Sequence, residues 1–249
     1  MATHEPWRLD DHVVVVTGAS AGIGLAICTA MARQGARLAM LDRDEQVIEA
    51  ADHFEDAIGV VADVTCSDEL DQARDEVTAR LGPIDVLVNN AGVIALDAAE
   101  NLSEQHWDRT LDVNLKGTFL SSQVFGRQML ERGEGAIVNI ASQAGLVALD
   151  QHLAYCASKA GVIGLTRSLA LEWSPRGVRV NAVSPTIVMT ELGQQAWSGP
   201  EGERARERIP LRRFAEPEDV AHAVVYLATP ASAMLSGENL VVDGGYTIS

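Results

Sequence analysis

Tyr155 and Lys159 are the pair whose types and spacing best suit chemistry on a hydroxyl or carbonyl group. They stand at i and i+4 in Leu153 to Glu172, a segment of helical periodicity, so both side chains share one helix face about 6 Å apart. A phenol with a pKa of about 10 needs a shift of roughly 3 units, or about 4 kcal/mol, to act as an acid or base near neutrality. A neighbouring ammonium has the right sign to help. Such pairs also occur as plain surface contacts, so this pair alone does not identify a catalytic site.

The glycine-rich segment Thr17 to Gly24 is a second chemical feature, with glycines in the spacing G-x-x-x-G-x-G. Glycines there permit a sharp turn and close backbone approach to a pyrophosphate, while the N-terminus of the following helix faces the negative charge. A plain tight turn is the alternative, but the position directly after a buried strand favours a dinucleotide site. The turn residues expected at the cofactor are Gly18, Ser20, Gly22, Ile23 and Gly24.

Asp42 ends the second predicted strand, 18 positions after Gly24. A carboxylate at this place can accept hydrogen bonds from the adenosine ribose hydroxyls, whereas the 2′-phosphate of NADP would meet like-charge repulsion. Neither Ala19 nor Ala21 supplies a cation that would offset this repulsion. The expected cofactor is therefore NAD. Arg43 leaves the strictness of that choice open, because its side chain is able to turn toward a phosphate.

These residues must be positioned by a fold, and the chain alternates short strands with helical segments. Val13 to Val16 is an unbroken β-branched run, which is typical of a parallel strand covered on both faces. Helical segments are predicted at Gly22 to Arg33 and from Pro217, a residue that suits a helix start. The alternation predicts one α/β domain over residues 1–249, a doubly wound Rossmann sheet of seven parallel strands with helices on both faces. The predicted strands are Val13–Val16, Arg37–Leu41, Ala57–Val61, Ile84–Val88, Ala136–Ile140, Val178–Val183 and Leu240–Val242.

The stretch around residues 190–216 is the irregular part of this pattern, since it combines glycines, prolines and alternating charges. Long connections in compact domains are commonly lids or binding loops, so this segment is expected to form a substrate lid. A tolerated surface insertion is the alternative.

A set of motifs spread over essentially the whole chain indicates a family. In order, they are Gly18-x-x-x-Gly22-x-Gly24, Asp63-Val64, Asn89-Asn90-Ala91-Gly92, Asn114, Ser142 and Tyr155-x-x-x-Lys159. The combination resembles the short-chain dehydrogenase/reductases. The resemblance implies a nicotinamide-dependent oxidoreductase that moves a hydride to or from a carbinol or carbonyl carbon.

The resemblance implies roles for four residues at the reacting centre. Tyr155 would be the proton donor or acceptor, and Ser142, at the end of the fifth strand, would hydrogen-bond the reacting oxygen. Lys159 would lower the pKa of the tyrosine and bind the nicotinamide ribose. Asn114 would hold a water that connects the lysine to bulk solvent. Each role fits the donors and acceptors of its side chain.

The resemblance also implies a cofactor lining beyond the glycine turn. Its members are Asp63, Val64 and Asn90 on the adenine side, together with Ala91 and Gly92. The family often shows Pro-Gly after the sixth strand, whereas Pro185 is followed here by Thr186. Val188 is still expected to meet the carboxamide through its backbone, and Thr190 is able to reach a phosphate.

Three longer stretches indicate a branch of this family. Ala141 to Lys159, Ser184 to Trp197 and Gly237 to Ser249 are similar to bacterial NAD-dependent polyol dehydrogenases of the D-threitol and D-arabitol type and to L-xylulose reductase. This resemblance implies oxidation of a secondary hydroxyl of a small polyol, such as a tetritol or pentitol, to a ketose. Several side chains near the predicted pocket suit a polyhydroxylated substrate. They are Gln143, His152, Glu191 and Trp197.

Other interpretations stay open at this point. The same scaffold would serve an NAD(P)H-dependent reductase of 3-oxoacyl thioesters or of other ketones. A catalytically silent dinucleotide-binding sensor is a candidate of another class, although the four residues of the reacting centre are retained. His152 would serve equally as a helix-start histidine without substrate contact, and Trp197 as lid packing.

Composition and charge bound the partners of the protein. The 249 residues carry a formal charge of −16, and no apolar run is long enough to span a membrane. This charge argues against nucleic acid and membrane surfaces as partners. The histidines and cysteines show no metal-ligand spacing, so no metal is expected. Met1 to Asp10 holds no continuous apolar run, so we expect no secretory signal and a cytoplasmic location, while the family resemblance suggests a homotetramer.

Overall fold

The valine run near the start of the chain forms an inner strand of the sheet. β1 (Val13–Thr17) is buried at all five residues. Val14 and Val16 pack into the apolar core on one face, while Val13 and Val15 pack into the core on the other. Burial on both faces accounts for the continuous β-branched run, because no face of the strand meets water.

The seven strands form one parallel sheet in the order β3-β2-β1-β4-β5-β6-β7. The computed structural model describes residues 5–249, apart from the side chains of Leu192, Gln195 and Ala196. Residues 1–4, part of the segment expected to carry no secretory signal, lie outside the described residues. The predicted fold class is confirmed. The remaining strands are β2 (Arg37–Asp42), β3 (Ala57–Val61), β4 (Ile84–Asn89), β5 (Gly135–Ile140), β6 (Val178–Pro185) and β7 (Asn239–Val242).

Helices cover both faces of the sheet, and their apolar sides build the two cores. The first core takes residues from α1, α2 and α9, and the second from α3, α5 and α6. Within residues 5–249, no helix combines the length and apolar character needed to cross a bilayer. The helices are α1 (Gly22–Arg33), α2 (Gln46–Ala51), α3 (Ser67–Leu81), α4 (Glu104–Leu111), α5 (Gly117–Arg132), α6 (Leu153–Trp173), α7 (Glu191–Ala196), α8 (Pro200–Glu207) and α9 (Pro217–Ala228).

The strand order reverses beside β1, whose two neighbours are β2 and β4. In an open parallel sheet, ligands bind outside the carboxyl ends of the strands at this switch point. The segments that follow β1 to β6 at that edge contain the residues expected to bind the cofactor and to carry the chemistry. The fold therefore collects at one edge of the sheet groups that are far apart in the sequence.

The segment around residues 190–216 is less irregular than its composition suggested. It contains α7 and α8, so the expectation of an irregular stretch is corrected. The Thr190 hydroxyl accepts the Gly193 N–H at the start of α7, and Pro200 stands at the start of α8, where its missing N–H costs nothing. A parallel bridge between Val188 and Ala215 joins the two ends of the segment.

Candidate active site

Tyr155 and Lys159 lie on the first two turns of α6, as the spacing predicted. The Lys159 side chain is buried, and its Nζ donates to the carbonyl oxygen of Ile140 at 2.7 Å. The same Nζ lies 5.7 Å from the centroid of the Tyr155 ring. Because Ile140 ends β5, the lysine is fixed at the carboxyl edge of the sheet, beside the tyrosine.

Burial shifts the pKa values of both members of this pair. Burial raises the pKa of Tyr155, and a hydrogen bond with Ser142 acts in the opposite direction. Burial also lowers the pKa of Lys159 from 10.5 to about 8. Desolvation is the largest cause of both shifts, and the expected effect of Lys159 on the pKa of Tyr155 stays a prediction.

Ser142 lies two residues after the end of β5, and its hydroxyl forms a hydrogen bond with Tyr155. Its Oγ also accepts the backbone N–H of Ala144 at 3.1 Å, which caps a short 3-10 turn over Gln143–Gly145. Gln143 is buried next to it, and within the described residues its Oε1 has no hydrogen-bond partner. The structure thus brings Ser142 and Tyr155 together and leaves an unused acceptor beside them.

Asn114 is fully buried in a five-residue π-helical turn, Asp112–Lys116, which joins α4 to α5. Its Oδ1 accepts the Val93 N–H at 2.8 Å, and its Nδ2 donates to the Val93 carbonyl at 2.9 Å and to Ser158 Oγ at 3.0 Å. The side chain therefore holds the segment after β4 against α6. Its expected role in holding a water stays a prediction.

The glycine turn, Thr17 to Gly24, is too tightly packed for a side chain at Gly18 or Gly24. A Cβ at Gly24 would lie 2.1 Å from the Gly18 carbonyl oxygen, and a Cβ at Gly18 would lie 2.8 Å from Ala91 Cα. Gly18 also has φ +64°, which a side chain would strain. Within the described residues, α1 has no side-chain cap at its N-terminus, Ala21. A helix start without a side-chain cap, behind a turn with glycine at positions 18, 22 and 24, fits a pyrophosphate.

Thr190 and Val188, which follow β6, lie near the glycine turn. Thr190 approaches the glycine turn, because a Cβ at Gly22 would lie 3.2 Å from Thr190 Cγ2. Val188 is held two residues earlier by its bridge to Ala215, and its carbonyl accepts the Thr190 N–H at 2.9 Å. Thr190 therefore lies beside the glycine turn, and its contact with a phosphate stays a prediction.

Asp42 is tied to the glycine turn through Ser20. Its Oδ2 accepts the Ser20 N–H at 3.2 Å and the Ser20 hydroxyl at 2.7 Å, while its Oδ1 accepts the Asp44 N–H at 3.2 Å. The carboxylate is thereby oriented at the end of β2. Arg43 is exposed, and it forms no ion pair within residues 5–249.

The residues expected to line the cofactor beyond the glycine turn also make contacts within the protein. Asn90 donates to the carbonyls of Thr17 and Gly18 at 3.0 and 2.9 Å, so its amide braces the glycine turn. Val64 packs on α5, since a Cβ at Gly117 would lie 2.7 Å from Val64 Cγ2. The remaining three have separate places: Asp63 accepts the Thr65 N–H, Ala91 donates its N–H to Thr17 Oγ1, and Gly92 lies beside Asn114 and Lys159.

The residues expected at the substrate are not all brought together. His152 precedes α6 and stands edge-on to Tyr155, with 6.3 Å between the ring centroids. Trp197 packs on Phe214, with 6.2 Å between ring centroids, and this contact favours the lid-packing alternative. Glu191 is exposed at the start of α7.

Comparison with known proteins decides the family. A family model described as "Enoyl-(Acyl carrier protein) reductase" matches residues 18–247. D-threitol dehydrogenase of Mycolicibacterium smegmatis is 53% identical over 248 residues, which cover 97% of this chain and 95% of that protein. The chain belongs to the short-chain dehydrogenase/reductase family.

Short-chain dehydrogenase/reductases are oxidoreductases that use a nicotinamide dinucleotide. The NAD-dependent glycerol dehydrogenase of Listeria innocua is 44% identical over 244 residues, which cover 97% of this chain and 96% of that protein. The crystal structure of a gluconate 5-dehydrogenase from Burkholderia cenocepacia, in complex with NADP and tartrate, matches with a TM-score of 0.93 and 32% identity, covering 98% of each chain.

Sequence reasoning gave no role of their own to three residues at this site of the short-chain dehydrogenase/reductase. Thr17 Oγ1 accepts the backbone N–H groups of Asn90 and Ala91 at 3.0 and 3.1 Å, and so joins β1 to the segment after β4. Thr186 is buried, and within the described residues its Oγ1 has no partner. Ser158 links Asn114 to α6. Only Thr186 carried a signal, as the departure from the Pro-Gly pattern.

Proposed function

We propose that this protein is an NAD-dependent dehydrogenase that oxidises a secondary hydroxyl of a small linear polyol to a ketose. The observation that carries the proposal is the group of Tyr155, Ser142 and Lys159, which meets beside the glycine turn at one edge of the sheet. The polyol is suggested by the relatives, whose names specify D-threitol and glycerol. The unpaired Oε1 of buried Gln143 offers an acceptor for a further substrate hydroxyl.

The proposed mechanism assigns the proton to Tyr155. In its phenolate form the Tyr155 oxygen accepts the proton of the substrate hydroxyl, while Ser142 Oγ holds the substrate oxygen by a hydrogen bond. NAD⁺, when bound, supplies the oxidant that takes the carbinol hydrogen with its electron pair. Lys159 provides positive charge near the phenolate, and its pKa of about 8 keeps it largely protonated at neutral pH.

The cofactor would be held by the glycine turn, the start of α1, Thr190 and Asp42. Asp42 supports NAD over NADP, because its charge lies at the end of β2 with no cation in the glycine turn to offset it. Exposed Arg43 and the NADP in the gluconate 5-dehydrogenase structure argue for some activity with NADP. Turnover with both cofactors at equal concentration measures the preference.

Removal of the Tyr155 hydroxyl tests the proposal most directly. Tyr155→Phe should abolish NADH formation on a panel of C3 to C6 alditols and leave NAD binding nearly unchanged, since the phenol acts on the proton and not on the dinucleotide. Tyr226→Phe is the matched control. Tyr226 lies on α9, where its ring packs on Trp7, and it has no proposed part in the reaction. Retention of most activity in Tyr155→Phe would show that the assignment is wrong.

A reductase of 3-oxoacyl thioesters or other ketones is the second candidate, and the acyl carrier protein reductase description of the family model favours it. NADPH oxidation with an acetoacetyl thioester, and no turnover of any alditol, would support this candidate. Cofactor binding without turnover on either panel would instead support a silent sensor.

The lid, the assembly and the location remain proposals. We propose that residues 190–216 close over the substrate, since the segment runs from Thr190 at the glycine turn to Ala215 at the bridge.

We also propose a homotetramer, because the family resemblance suggests one and because β7 is an edge strand whose apolar Val241 is 37% exposed. Sedimentation measures the assembly, and cell fractionation tests the cytoplasmic location.

A further inference from the structure

Ser158 lies between the two catalytic positions of α6 and the π-helical turn that carries Asn114. It is fully buried, and it takes part in two hydrogen bonds of opposite sense. Its Oγ accepts from Asn114 Nδ2 at 3.0 Å and donates to the carbonyl oxygen of Tyr155 at 2.8 Å. A hydroxyl is suited to this place because it is donor and acceptor at once.

The two bonds form a continuous chain from the segment after β4 to the backbone of Tyr155. At one end, Asn114 is fixed by two bonds to Val93. At the other end, the Ser158 bond acts on the first turn of α6, where a serine that bonds to an earlier carbonyl changes the local bend of a helix. The chain therefore acts on the turn that aims the phenol.

We propose that Ser158 is a positioning residue that sets the Tyr155 hydroxyl against Ser142. The inference rests on the proposed function for its effect on turnover. The Ser142 bond opposes the rise in the pKa of Tyr155 caused by burial, so the bond depends on where the phenol points. Loss of Ser158 would release the first turn of α6 and weaken that bond, which raises the phenol pKa further.

A second hydroxyl on the same helix provides a matched control. Thr166 is buried two turns further along α6, accepts from Asn139 Nδ2 at 2.9 Å and donates to the Val162 carbonyl at 2.8 Å. It has the same two kinds of bond as Ser158 and lies away from the Tyr155 turn. Removal of either hydroxyl should destabilise the fold, but only Ser158 should affect the phenol.

The experiment compares Ser158→Ala, Ser158→Thr and Thr166→Val with the unaltered chain. In Ser158→Ala we expect kcat for alditol oxidation to fall roughly ten- to hundred-fold, with the dissociation constant of NAD within about two-fold. In the same variant, the midpoint of the rise of kcat with pH should move to higher pH by roughly one pH unit. Ser158→Thr, which keeps the hydroxyl, should restore most of kcat, and Thr166→Val should leave both kcat and its pH profile unchanged.

A substrate-free measurement separates this proposal from the proposed function. The phenolate absorbance of Tyr155, titrated as a difference against Tyr155→Phe, should move to higher pH in Ser158→Ala and not in Thr166→Val. If the unaltered chain oxidises no alditol, the proposed substrate is wrong, while the titration still tests Ser158. An unchanged phenolate titration in folded Ser158→Ala, or equal changes in both variants, would overturn the positioning role.

Discussion

At the scale of single residues, burial is the main influence on the protonation of Tyr155 and Lys159. Lys159 is enclosed beside Tyr155, and its ammonium is satisfied by a backbone carbonyl, not by a carboxylate. A buried ammonium without a carboxylate partner loses solvation that one hydrogen bond does not restore, and its pKa falls. The tyrosine moves in the opposite direction for the same reason.

This shift makes the stability of the fold depend on pH. Between pH 8 and 10.5 the unfolded chain binds more protons at Lys159 than the folded chain, so the free energy of unfolding should rise with pH. Relative to Lys159→Met, the unaltered chain should gain up to about 3 kcal/mol over this range. Urea unfolding of both proteins at several pH values measures the difference. A constant difference across the range would contradict the prediction.

The proposed preference for NAD rests on one residue, Asp42. Asp42→Asn keeps an oxygen that can accept from Ser20 and removes the charge that repels a 2′-phosphate. We expect kcat/KM for NADP⁺ to rise roughly ten-fold or more, about 1.4 kcal/mol, with a smaller change for NAD⁺. Asp44→Asn, at an exposed position two residues away, is the control. No gain with NADP⁺ would assign the preference to another residue.

At the scale of elements, the turn between β1 and α1 depends on glycine for close approach. A Cβ at Gly24 would collide with backbone, which cannot move aside as a flexible side chain would. On α6, by contrast, a Cβ at Gly164 would meet nothing within 4 Å. The two positions are both helical, so they separate the effect of steric collision from that of helix propensity.

Alanine at these two positions should therefore have opposite effects. Gly24→Ala should lower the free energy of unfolding by more than about 1 kcal/mol and weaken NAD binding, because the turn must open. Gly164→Ala should raise the free energy of unfolding by roughly 0.5 to 1 kcal/mol through helix propensity and leave NAD binding unchanged. Chemical denaturation and a fluorescence titration with NAD measure both. Equal stability of the two variants would contradict the steric account.

At the scale of the whole molecule, the net charge acts on the cofactor. The chain carries a formal charge of −16, and a nicotinamide dinucleotide is an anion. Long-range repulsion slows the encounter at low salt, where charges interact over about 30 Å, and much less near 0.15 M, where the range is about 8 Å. The local cradle of backbone N–H groups acts only after the encounter.

Ionic strength should therefore change the kinetics with NAD⁺ but not those with the polyol. We expect kcat/KM for NAD⁺ to rise several-fold between about 0.01 M and 0.15 M salt. The KM of a neutral alditol at saturating NAD⁺ should stay constant, and it serves as the internal control. Initial rates of NADH formation measure both. A fall of kcat/KM for NAD⁺ with added salt would show that local positive groups dominate the encounter.

The sequence by itself determined the sheet, its strands and the order of the chemical groups along the chain. β-branched runs such as Val13 to Val16 and the helical spacing of Tyr155 and Lys159 are local patterns, and a local pattern is visible in one dimension. The glycine spacing and Asp42 likewise predicted a dinucleotide site. The two helices within residues 190–216 were missed because glycines, prolines and charges masked their short helical segments.

Only the tertiary structure decided how these groups act on one another. The raised pKa of Tyr155 and the lowered pKa of Lys159 depend on burial, which comes from elements distant in the sequence. The link from Asn114 through Ser158 to Tyr155 joins segments about 40 residues apart, so no spacing could indicate it. Hydrogen bonds and desolvation require atoms to be near in space, and the sequence gives only which residue types are available for them.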